Sequence, residues 1–266
     1  MLVSFLIPTR GRVDQLLQSM KQSISTSIEP ENIEFCIRVD DDDTSTLERI
    51  EEIKELHPNI QLIIGSRLTG YSSIHLMYNE LAEIAKGTYF YVYNDDAFLE
   101  TEGWDLIISE YKNRVCWIMT GDYSDELRAN YQTSFPCFHR RIWEIWGRFS
   151  AHHHTDTYQA LVIKLFDQLW KGFHKSMASI PTVEWDENRY ILAVNCTNGG
   201  LNQEPEIIEI NHECWAAKNL PSDWLEAQNL FGDIYSPIYE EIRVDAVKLL
   251  NYFITHRGIF REESKC

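Results

Sequence analysis

Strands and helices alternate through the first 96 residues, and this order constrains the fold more than any other feature of the sequence. Runs of apolar and β-branched residues predict strands at 2–7, 33–39, 61–65 and 89–93. Between them, apolar residues recur every three or four positions, as in amphipathic helices. A β-α-β-α-β-α-β order joins parallel strands by right-handed crossovers. We therefore predict an α/β fold with a mostly parallel sheet flanked by helices.

The fourth predicted strand runs directly into two adjacent carboxylates, Asp95 and Asp96, preceded by Asn94. Ligands of open α/β sheets bind at the carboxyl ends of the strands. Adjacent carboxylates repel each other and are costly to bury, so the pair indicates a compensating cation. Hard oxygen ligands favour Mg²⁺ or Mn²⁺. The alternative is a solvated turn, in which aspartate is common.

Arginines follow the first and third strands. Pro8, Thr9, Arg10 and Arg12 lie between the first strand and a helix that begins near residue 13. Guanidinium groups at this edge of a sheet are well placed to meet phosphate. Arg67 follows the third strand in the same way.

Four consecutive aspartates follow the second strand. At the carboxyl end of a strand, Asp40 or Asp42 is placed to accept hydrogen bonds from a ribose or a base edge. Asp41 and Asp43 are interpreted as solvated loop residues. The next helix is predicted to carry apolar residues from Leu47 to Leu56 on one face.

Three consecutive histidines, His152 to His154, precede another predicted helix. Neighbouring side chains on an extended chain point to opposite faces, so we predict that one or two of these rings at most reach a single ion. The alternative is a polar loop in which Thr155 or Asp156 caps the helix.

The later chain carries weaker signals. A strand is predicted at 179–185, and residues 199–203 have the composition of a loop. We predict a catalytic α/β domain at 1–203 and a mainly helical C-terminal appendage at 204–266.

Charge and hydropathy exclude some classes of partner. The net charge is −17, which argues against a nucleic-acid backbone or an anionic membrane surface as the main partner. No run approaches the roughly 18 apolar residues of a membrane span, and the first residues lack the basic region of a signal peptide. We expect a soluble, cytoplasmic protein without a membrane span.

The cysteines form no C-x-x-C pair, so we expect reduced, buried thiols rather than a zinc site or a disulfide scaffold. They are Cys36, Cys116, Cys137, Cys196, Cys214 and Cys266.

Taken in order, these motifs resemble those of the GT-A glycosyltransferases, particularly the family 2 type. Residues 7–12 resemble the family's first strand and nucleotide loop, and 39–43 resemble its second acidic loop. The helix holding Asn79 resembles the segment before the metal motif, and residues 94–96 resemble the D-x-D motif. The resemblance covers about residues 1 to 125 and implies a GT-A, Rossmann-like fold.

The resemblance also implies a ligand set. Asp95 and Asp96 would hold Mn²⁺ or Mg²⁺, although a strict D-x-D frame puts Asn94 first and leaves Asp96 as the direct ligand. Relatives often supply a further histidine ligand late in the domain, and His212 is the nearest later histidine here. The residues implied to bind the sugar nucleotide are Pro8, Thr9, Arg10, Arg12, Asp40, Asp42, Arg67, Asn79, Asn94 and Asp95.

The implied activity is transfer of a sugar from a nucleotide-diphosphate sugar, with a UDP-sugar as first expectation, to the hydroxyl of a glycan or other acceptor. Asp156 is the first choice of general base, and inversion at the anomeric carbon is expected. Other acceptors of the proton are Glu184, Asp186 and His154.

Two other functions fit the same residues. One is an inactive GT-A module that binds sugar nucleotides or glycans, with Trp143 and Trp146 stacking on sugar rings. The spacing of three between these tryptophans favours a buried helix face instead. The other is a sugar nucleotidyltransferase. That class needs a glycine-rich triphosphate loop, whereas residues 8–12 contain one glycine.

Overall fold

The structure is a computed structural model of the chain. It describes residues 3–99, 101–112, 115–118, 135–177, 210–212 and 239–256. The strands in these ranges are β1 Val3–Thr9, β2 Ile33–Asp40, β3 Ile60–Gly65, β4 Tyr89–Val92, β5 Ala97–Leu99, β6 Trp117–Ile118, β7 Cys137–His139 and β8 Ile210–His212.

The helices alternate with the strands in the first half of the chain and cluster after β7. They are α1 Val13–Ser25, α2 Thr44–Leu47, α3 Ile50–Glu55, α4 Ile74–Ile84, α5 Trp104–Ser109, α6 Arg140–Trp146, α7 Thr155–Met177 and α8 Tyr239–Thr255. Short 3-10 turns at Pro30–Asn32 and Gly70–Ser73 precede β2 and α4.

The main sheet has six strands in the order β3-β2-β1-β4-β7-β6. Strand β1 is parallel to β2 and to β4, and β2 is parallel to β3. Strand β7 is antiparallel to both β4 and β6 at the other side of the sheet. The prediction of an α/β fold with a mostly parallel sheet flanked by helices is confirmed.

Strand β1 lies at the point where the strand order reverses. The chain moves outward from β1 to β2 and β3, then returns to place β4 on the other side of β1. Connections that leave in opposite directions open a crevice at the carboxyl ends of the two strands. The residues that follow β1 and β4 therefore meet at one edge of the sheet.

Both faces of the sheet are buried at β1, β2 and β4, which explains their nearly continuous apolar sequences. Side chains alternate between faces along a strand, so Phe5 and Ile7 pack with α1 and α5 while Leu6 packs with α4, α6 and α7. Trp146 is buried and Trp143 packs against the same cluster as Leu6. The prediction that these tryptophans belong to a helix face in the core is confirmed.

The helix predicted across Leu47 to Leu56 is wrong as a single element, because the chain forms the two short helices α2 and α3. Asp43 caps the first of them by accepting a hydrogen bond from the N–H of Thr46 at 3.3 Å. This carboxylate is buried, at 5% exposure, so its interpretation as a solvated loop residue is also wrong.

The C-terminal helix α8 packs against α6 and α7 rather than standing apart. Its Asp245 is fully buried and accepts hydrogen bonds from Tyr158 at 2.7 Å and from Arg148 at 3.1 Å. The boundary near residue 203 and the strand predicted at 179–185 lie outside the described residues. The division into 1–203 and 204–266 stays a prediction.

The described residues also bear on the cysteines and on membrane-spanning helices. Among these, Cys36, Cys116 and Cys137 are buried free thiols, as expected. Within the same ranges, no helix combines the length and the apolar character that crossing a bilayer requires.

Candidate active site

The two carboxylates after β4 lie in a turn, but the turn is buried. Asp95 is fully buried and Asp96 is 7% exposed. Their side chains face the loop that follows β1: the hydroxyl of Thr9 donates to Oδ2 of Asp95 at 2.7 Å. This contact joins residues 86 positions apart in the sequence, because β1 and β4 are neighbouring strands in the sheet. The alternative of a solvated turn does not describe this site.

Arg12 supplies positive charge to both carboxylates. One guanidinium nitrogen lies 2.7 Å from Oδ1 of Asp95, and the other lies 2.9 Å from Oδ2 of Asp96. The Arg12 side chain is 47% exposed, so it reaches from solvent into the buried pair. One guanidinium compensates one of the two negative charges.

Burial dominates the electrostatics of Asp95. It raises the pKa of this carboxyl to about 6, while Arg12 and the Thr9 hydroxyl oppose the shift and Asp96 adds to it. A buried carboxylate with a raised pKa is stabilised in its charged form by a further cation. The donor set is two carboxylates at the carboxyl edge of a sheet, and it fits Mg²⁺ or Mn²⁺.

A second group of charges lies at the ends of β1 and β2. Arg10 donates to Oδ2 of Asp40 at 3.0 Å and to Oδ2 of Asp42 at 3.2 Å, and Arg67 lies 3.4 Å from Asp42. Asp40 is buried, whereas the side chain of Asp42 is 46% exposed. Of the two candidates for a ribose or base contact, Asp42 presents its carboxylate to solvent.

Arg38 is a participant that sequence reasoning missed. Its guanidinium is buried, forms an ion pair with Asp40, and donates to the carbonyl of Ser66 at 2.6 Å. A side chain on Gly65 would approach within 3.1 Å of this guanidinium, so the glycine leaves room for it. The available signal was the spacing of two between Arg38 and Asp40, which places both on one face of β2.

The β1–α1 loop is tied to the β2–α2 loop. Gly11 has φ +67°, a conformation that glycine adopts without strain, and its N–H donates to Asp43 at 2.8 Å. Pro8 is buried within β1, opposite Arg38 in the sheet register. These contacts hold Arg10 and Arg12 on the same side of the crevice as the carboxylates.

Asn94 is held by α4. The hydroxyl of Tyr78 donates to Oδ1 of Asn94 at 3.2 Å and to the carbonyl of Tyr93 at 3.3 Å. Burial raises the pKa of Tyr78, and the charges of Asp156, Asp95 and Asp96 raise it further. The charges of the predicted base Asp156 and of the carboxylate pair therefore both raise the pKa of the Tyr78 hydroxyl, although 60 residues separate Asp96 from Asp156.

Asp156 lies in the first turn of α7. Burial raises the pKa of its carboxyl above the ordinary value of 3.8, while hydrogen bonds from the Thr157 backbone and side chain oppose the shift. A carboxylate with a raised pKa accepts a proton more readily, as a general base must. Its candidate substitutes Glu184 and Asp186 lie outside the described residues.

Asn79 is engaged away from the carboxylate pair. Its Oδ1 accepts a hydrogen bond from the N–H of Phe149, in the segment before the three histidines. Its role in donor binding stays a prediction.

The position of His212 follows from backbone pairing. Strand β8 pairs with β5 in an antiparallel two-stranded sheet, and His212 lies opposite Ala97. Ala97 follows Asp96 directly, so the register places His212 at the level of the carboxylate pair. Its role as a metal ligand stays a prediction.

The three consecutive histidines converge, contrary to the prediction that at most two reach one ion. One ligand nitrogen from each of His152, His153 and His154 lies within 4.8 Å of the others. The prediction assumed an extended chain, but residues 151–153 form a bend.

Comparisons with known proteins return solved structures at low identity. The crystal structure of residues 1–349 of S. aureus TarS in complex with UDP-GlcNAc is 12% identical, with a TM-score of 0.49, over 60% of this chain and 52% of that one. Another crystal structure of TarS 1–349 is 13% identical, with a TM-score of 0.47, over 60% of this chain and 55% of that one. The chain spans about half the length of these TarS structures.

A third structure matches over more of both chains. Mannosyltransferase PcManGT from Pyrobaculum calidifontis, in complex with GDP-Man and Mn²⁺, is 15% identical with a TM-score of 0.46, over 92% of this chain and 85% of that one. No family model and no curated protein matches the sequence. The assignment of a function therefore rests on the geometry of the site.

Proposed function

We propose that the chain is a glycosyltransferase of the GT-A type that moves a sugar from a nucleotide-diphosphate sugar to an acceptor hydroxyl. The observation that carries this proposal is the buried pair Asp95 and Asp96, joined by Arg12 at the crevice between β1 and β4. This is the edge at which an open α/β sheet binds nucleotides.

The donor's diphosphate would lie against this pair. Asp95 and Asp96 would hold Mn²⁺ or Mg²⁺, with His212 as a further ligand supported by its register opposite Ala97. When bound, the ion supplies Lewis-acid stabilisation of the leaving diphosphate. Arg12 reaches the same point from solvent and adds a guanidinium that can pair with a phosphate oxygen.

The nucleoside would lie against the ends of β1 and β2. Asp42 presents an exposed carboxylate there and is held by Arg10 and Arg67. Such a carboxylate accepts hydrogen bonds from ribose hydroxyls or from a base edge. Asp40 is engaged by Arg38 and Arg10, and its role in this arrangement is to orient Arg10.

Asp156 would act as the general base. The acceptor oxygen forms a bond to the anomeric carbon while the bond from that carbon to the diphosphate oxygen breaks and its electron pair leaves with the diphosphate. The proton of the acceptor hydroxyl passes to the Asp156 carboxylate, whose raised pKa suits it to this transfer. A base opposite the leaving group produces inversion.

The experiment is a calorimetric and thermal-shift panel of UDP, GDP and their common sugar conjugates, each with and without Mn²⁺. A ligand that binds only the folded state raises its stability. We expect one nucleotide to stabilise the chain in a Mn²⁺-dependent manner, and Asp96→Asn to remove that effect. Asp14→Asn is the matched control, because the Asp14 side chain is 87% exposed on α1.

The outcomes separate the three functions. Mn²⁺-dependent release of the nucleotide diphosphate, lost in Asp96→Asn with the fold intact, supports the transferase. Binding of the sugar nucleotide without turnover supports the inactive module. Release of pyrophosphate from a nucleoside triphosphate and a sugar phosphate supports the nucleotidyltransferase. A folded protein that responds to no nucleotide contradicts the proposal.

A further inference from the structure

The segment between α6 and α7 folds its three histidines onto one another. The hydroxyl of Ser150 donates to the carbonyl of His152 at 2.6 Å and accepts from the N–H of the same residue at 3.0 Å. The N–H of His154 donates to Nδ1 of His152 at 3.2 Å, and the N–H of Thr155 donates to the carbonyl of His153 at 2.9 Å. Hydrogen bonds of both backbone and side-chain groups within the segment therefore maintain the bend.

The imidazole rings lie close together as a result. Ring centroids are 4.0 Å apart for His152 and His153, 4.3 Å for His153 and His154, and 5.1 Å for His152 and His154. Their ligand nitrogens lie within 4.8 Å of one another. Three nitrogens bound to one tetrahedral Zn²⁺ at about 2.0–2.1 Å stand about 3.4 Å apart, so the rings must rotate to bring their nitrogens closer together by up to about 1.4 Å.

A further histidine, His75, lies on α4. His75 and Asn79 lie one turn apart on one face of that helix, and Asn79 accepts from the N–H of Phe149 at the start of the histidine segment. The Nδ1 atom of His75 is buried and has no hydrogen-bond partner among the described residues. Burial lowers the pKa of His75, and His153 lowers it further.

An aromatic side chain packs against the histidine cluster. Tyr71 packs edge-on against the rings of His153 and His154, and its hydroxyl lies 3.4 Å from Nδ1 of His154.

We propose that His152, His153 and His154, with His75 as a fourth ligand, form a binding site for a borderline transition-metal ion such as Zn²⁺. Imidazole nitrogen suits this class of ion, whereas the carboxylates of Asp95 and Asp96 suit Mg²⁺ or Mn²⁺. Its ligands are different residues from the carboxylate pair, and it does not depend on the proposed transferase activity. A bound ion would link α4 to the segment that leads into α7, and so brace the turn that carries Asp156.

The test uses the untagged full chain after treatment with a chelator, with Co²⁺ as the spectroscopic probe. Imidazole-bound Co²⁺ absorbs visible light, and Zn²⁺ bound at the same site abolishes that absorption. We expect one Co²⁺ per chain, displaced by one equivalent of Zn²⁺, and a rise in the unfolding temperature with Zn²⁺. The absence of a Co²⁺ band in folded protein overturns the proposal.

Variants assign the site. The double variant His153→Asn, His154→Asn should lose the Co²⁺ band, and His75→Asn should weaken Co²⁺ binding at least tenfold. His256→Gln is the control for a histidine elsewhere, beside Tyr252 on α8. A band that survives in the double variant overturns the proposal. Circular dichroism establishes that each variant is folded, and the milder His153→Gln, His154→Gln pair replaces the asparagine pair if it is not.

A second pair separates this site from the carboxylates. Asp95→Asn, Asp96→Asn should keep the Co²⁺ band and lose Mn²⁺ binding. Loss of the Co²⁺ band in this variant would place the ion at the carboxylate pair and overturn the proposal. Mn²⁺ binding and the Co²⁺ absorption band are measured separately. If the chain proves not to be a transferase, the Co²⁺ result at the histidines therefore still stands.

Discussion

A guanidinium nitrogen of Arg12 lies 2.7 Å from Oδ1 of Asp95, in a site where that carboxylate is fully buried. Arg12 occupies the position at which a cation compensates Asp95 and Asp96 together. A metal ion bound at the proposed site would therefore compete with this arginine for the same carboxylate oxygens, while both would attract a diphosphate. This relationship predicts opposite effects of one substitution on two ligands.

Arg12→Gln is expected to tighten the binding of Mn²⁺ alone and to weaken the binding of the Mn²⁺–nucleotide complex. Removal of the competing guanidinium should raise the affinity for Mn²⁺ roughly five- to tenfold. Loss of the guanidinium as a phosphate partner should lower the affinity for the Mn²⁺–nucleotide complex by a similar factor. Isothermal titration with Mn²⁺ and then with the nucleotide measures both. Arg49→Gln is the control, because Arg49 pairs with Glu52 at an exposed site. Weaker binding of both ligands would contradict competition.

Thr9→Val is expected to weaken Mn²⁺ binding about tenfold at pH 6. Its hydroxyl donates to Oδ2 of Asp95 at 2.7 Å, and a hydrogen bond to a charged group contributes about 1.5–3 kcal/mol. Without it, the pKa of Asp95 rises further above its present value of about 6, and a proton competes with the metal. Thr26→Val removes another buried hydroxyl, which donates to the Gln22 carbonyl. Equal Mn²⁺ affinities in both variants would exclude this role.

Asp156→Asn is expected to lower kcat by about 10²- to 10⁴-fold, with the affinity for the sugar nucleotide unchanged. In the wild type, activity should fall on the acid side with a midpoint above 3.8, because burial raises the pKa of this carboxyl. Single-turnover transfer and equilibrium binding measure the two quantities. A loss of binding that matches the loss of kcat would remove Asp156 from the role of base.

Asp245→Ala is expected to reduce the free energy of unfolding by about 3–5 kcal/mol, because it leaves Arg148 and Tyr158 without their buried partner. Denaturant unfolding provides the measurement. Glu240→Gln, in the exposed pair with Arg243, should leave stability unchanged. If Asp245→Ala is neutral, α8 is not an integral part of the fold.

His139 predicts a pH dependence of stability. Burial, then repulsion by Arg141, lowers its pKa from 6.5 to about 4. Because the pKa of His139 is lower in the folded than in the unfolded chain, unfolding takes up a proton between pH 4 and pH 6.5. The free energy of unfolding is therefore undiminished above pH 6.5 and decreases as the pH falls towards 4.

His139→Asn keeps an acceptor for the N–H of Arg141, which donates to Nδ1 of His139 at 3.0 Å, but cannot be protonated. Between pH 7 and pH 4 the wild type should lose about 2–3 kcal/mol more than the variant, since one unit of pKa shift corresponds to about 1.4 kcal/mol. Urea unfolding at several pH values measures the difference. Parallel curves would show that His139 is not buried as a neutral ring.

The sequence by itself determined the class of fold and the location of the acids. Alternating apolar periods predicted the four parallel strands, because a strand or an amphipathic helix shows its period within a few residues. The same local reading put Arg12, Asp40 and Asp95 after strands, and parallel strands bring such residues to one edge. The late strand and the domain boundary remain predictions.

Tertiary structure decided which of these residues meet. Thr9 contacts Asp95 because β4 lies beside β1 in the sheet. The order of strands in a sheet cannot be predicted from the local periodicity of apolar residues. The Arg38 guanidinium is buried because it pairs with Asp40 on β2 and fits against Gly65 on the neighbouring strand β3. Contacts between distant positions depend on burial and chain direction together, which is why the sequence predicted the residue types of the site and only the fold assembled them.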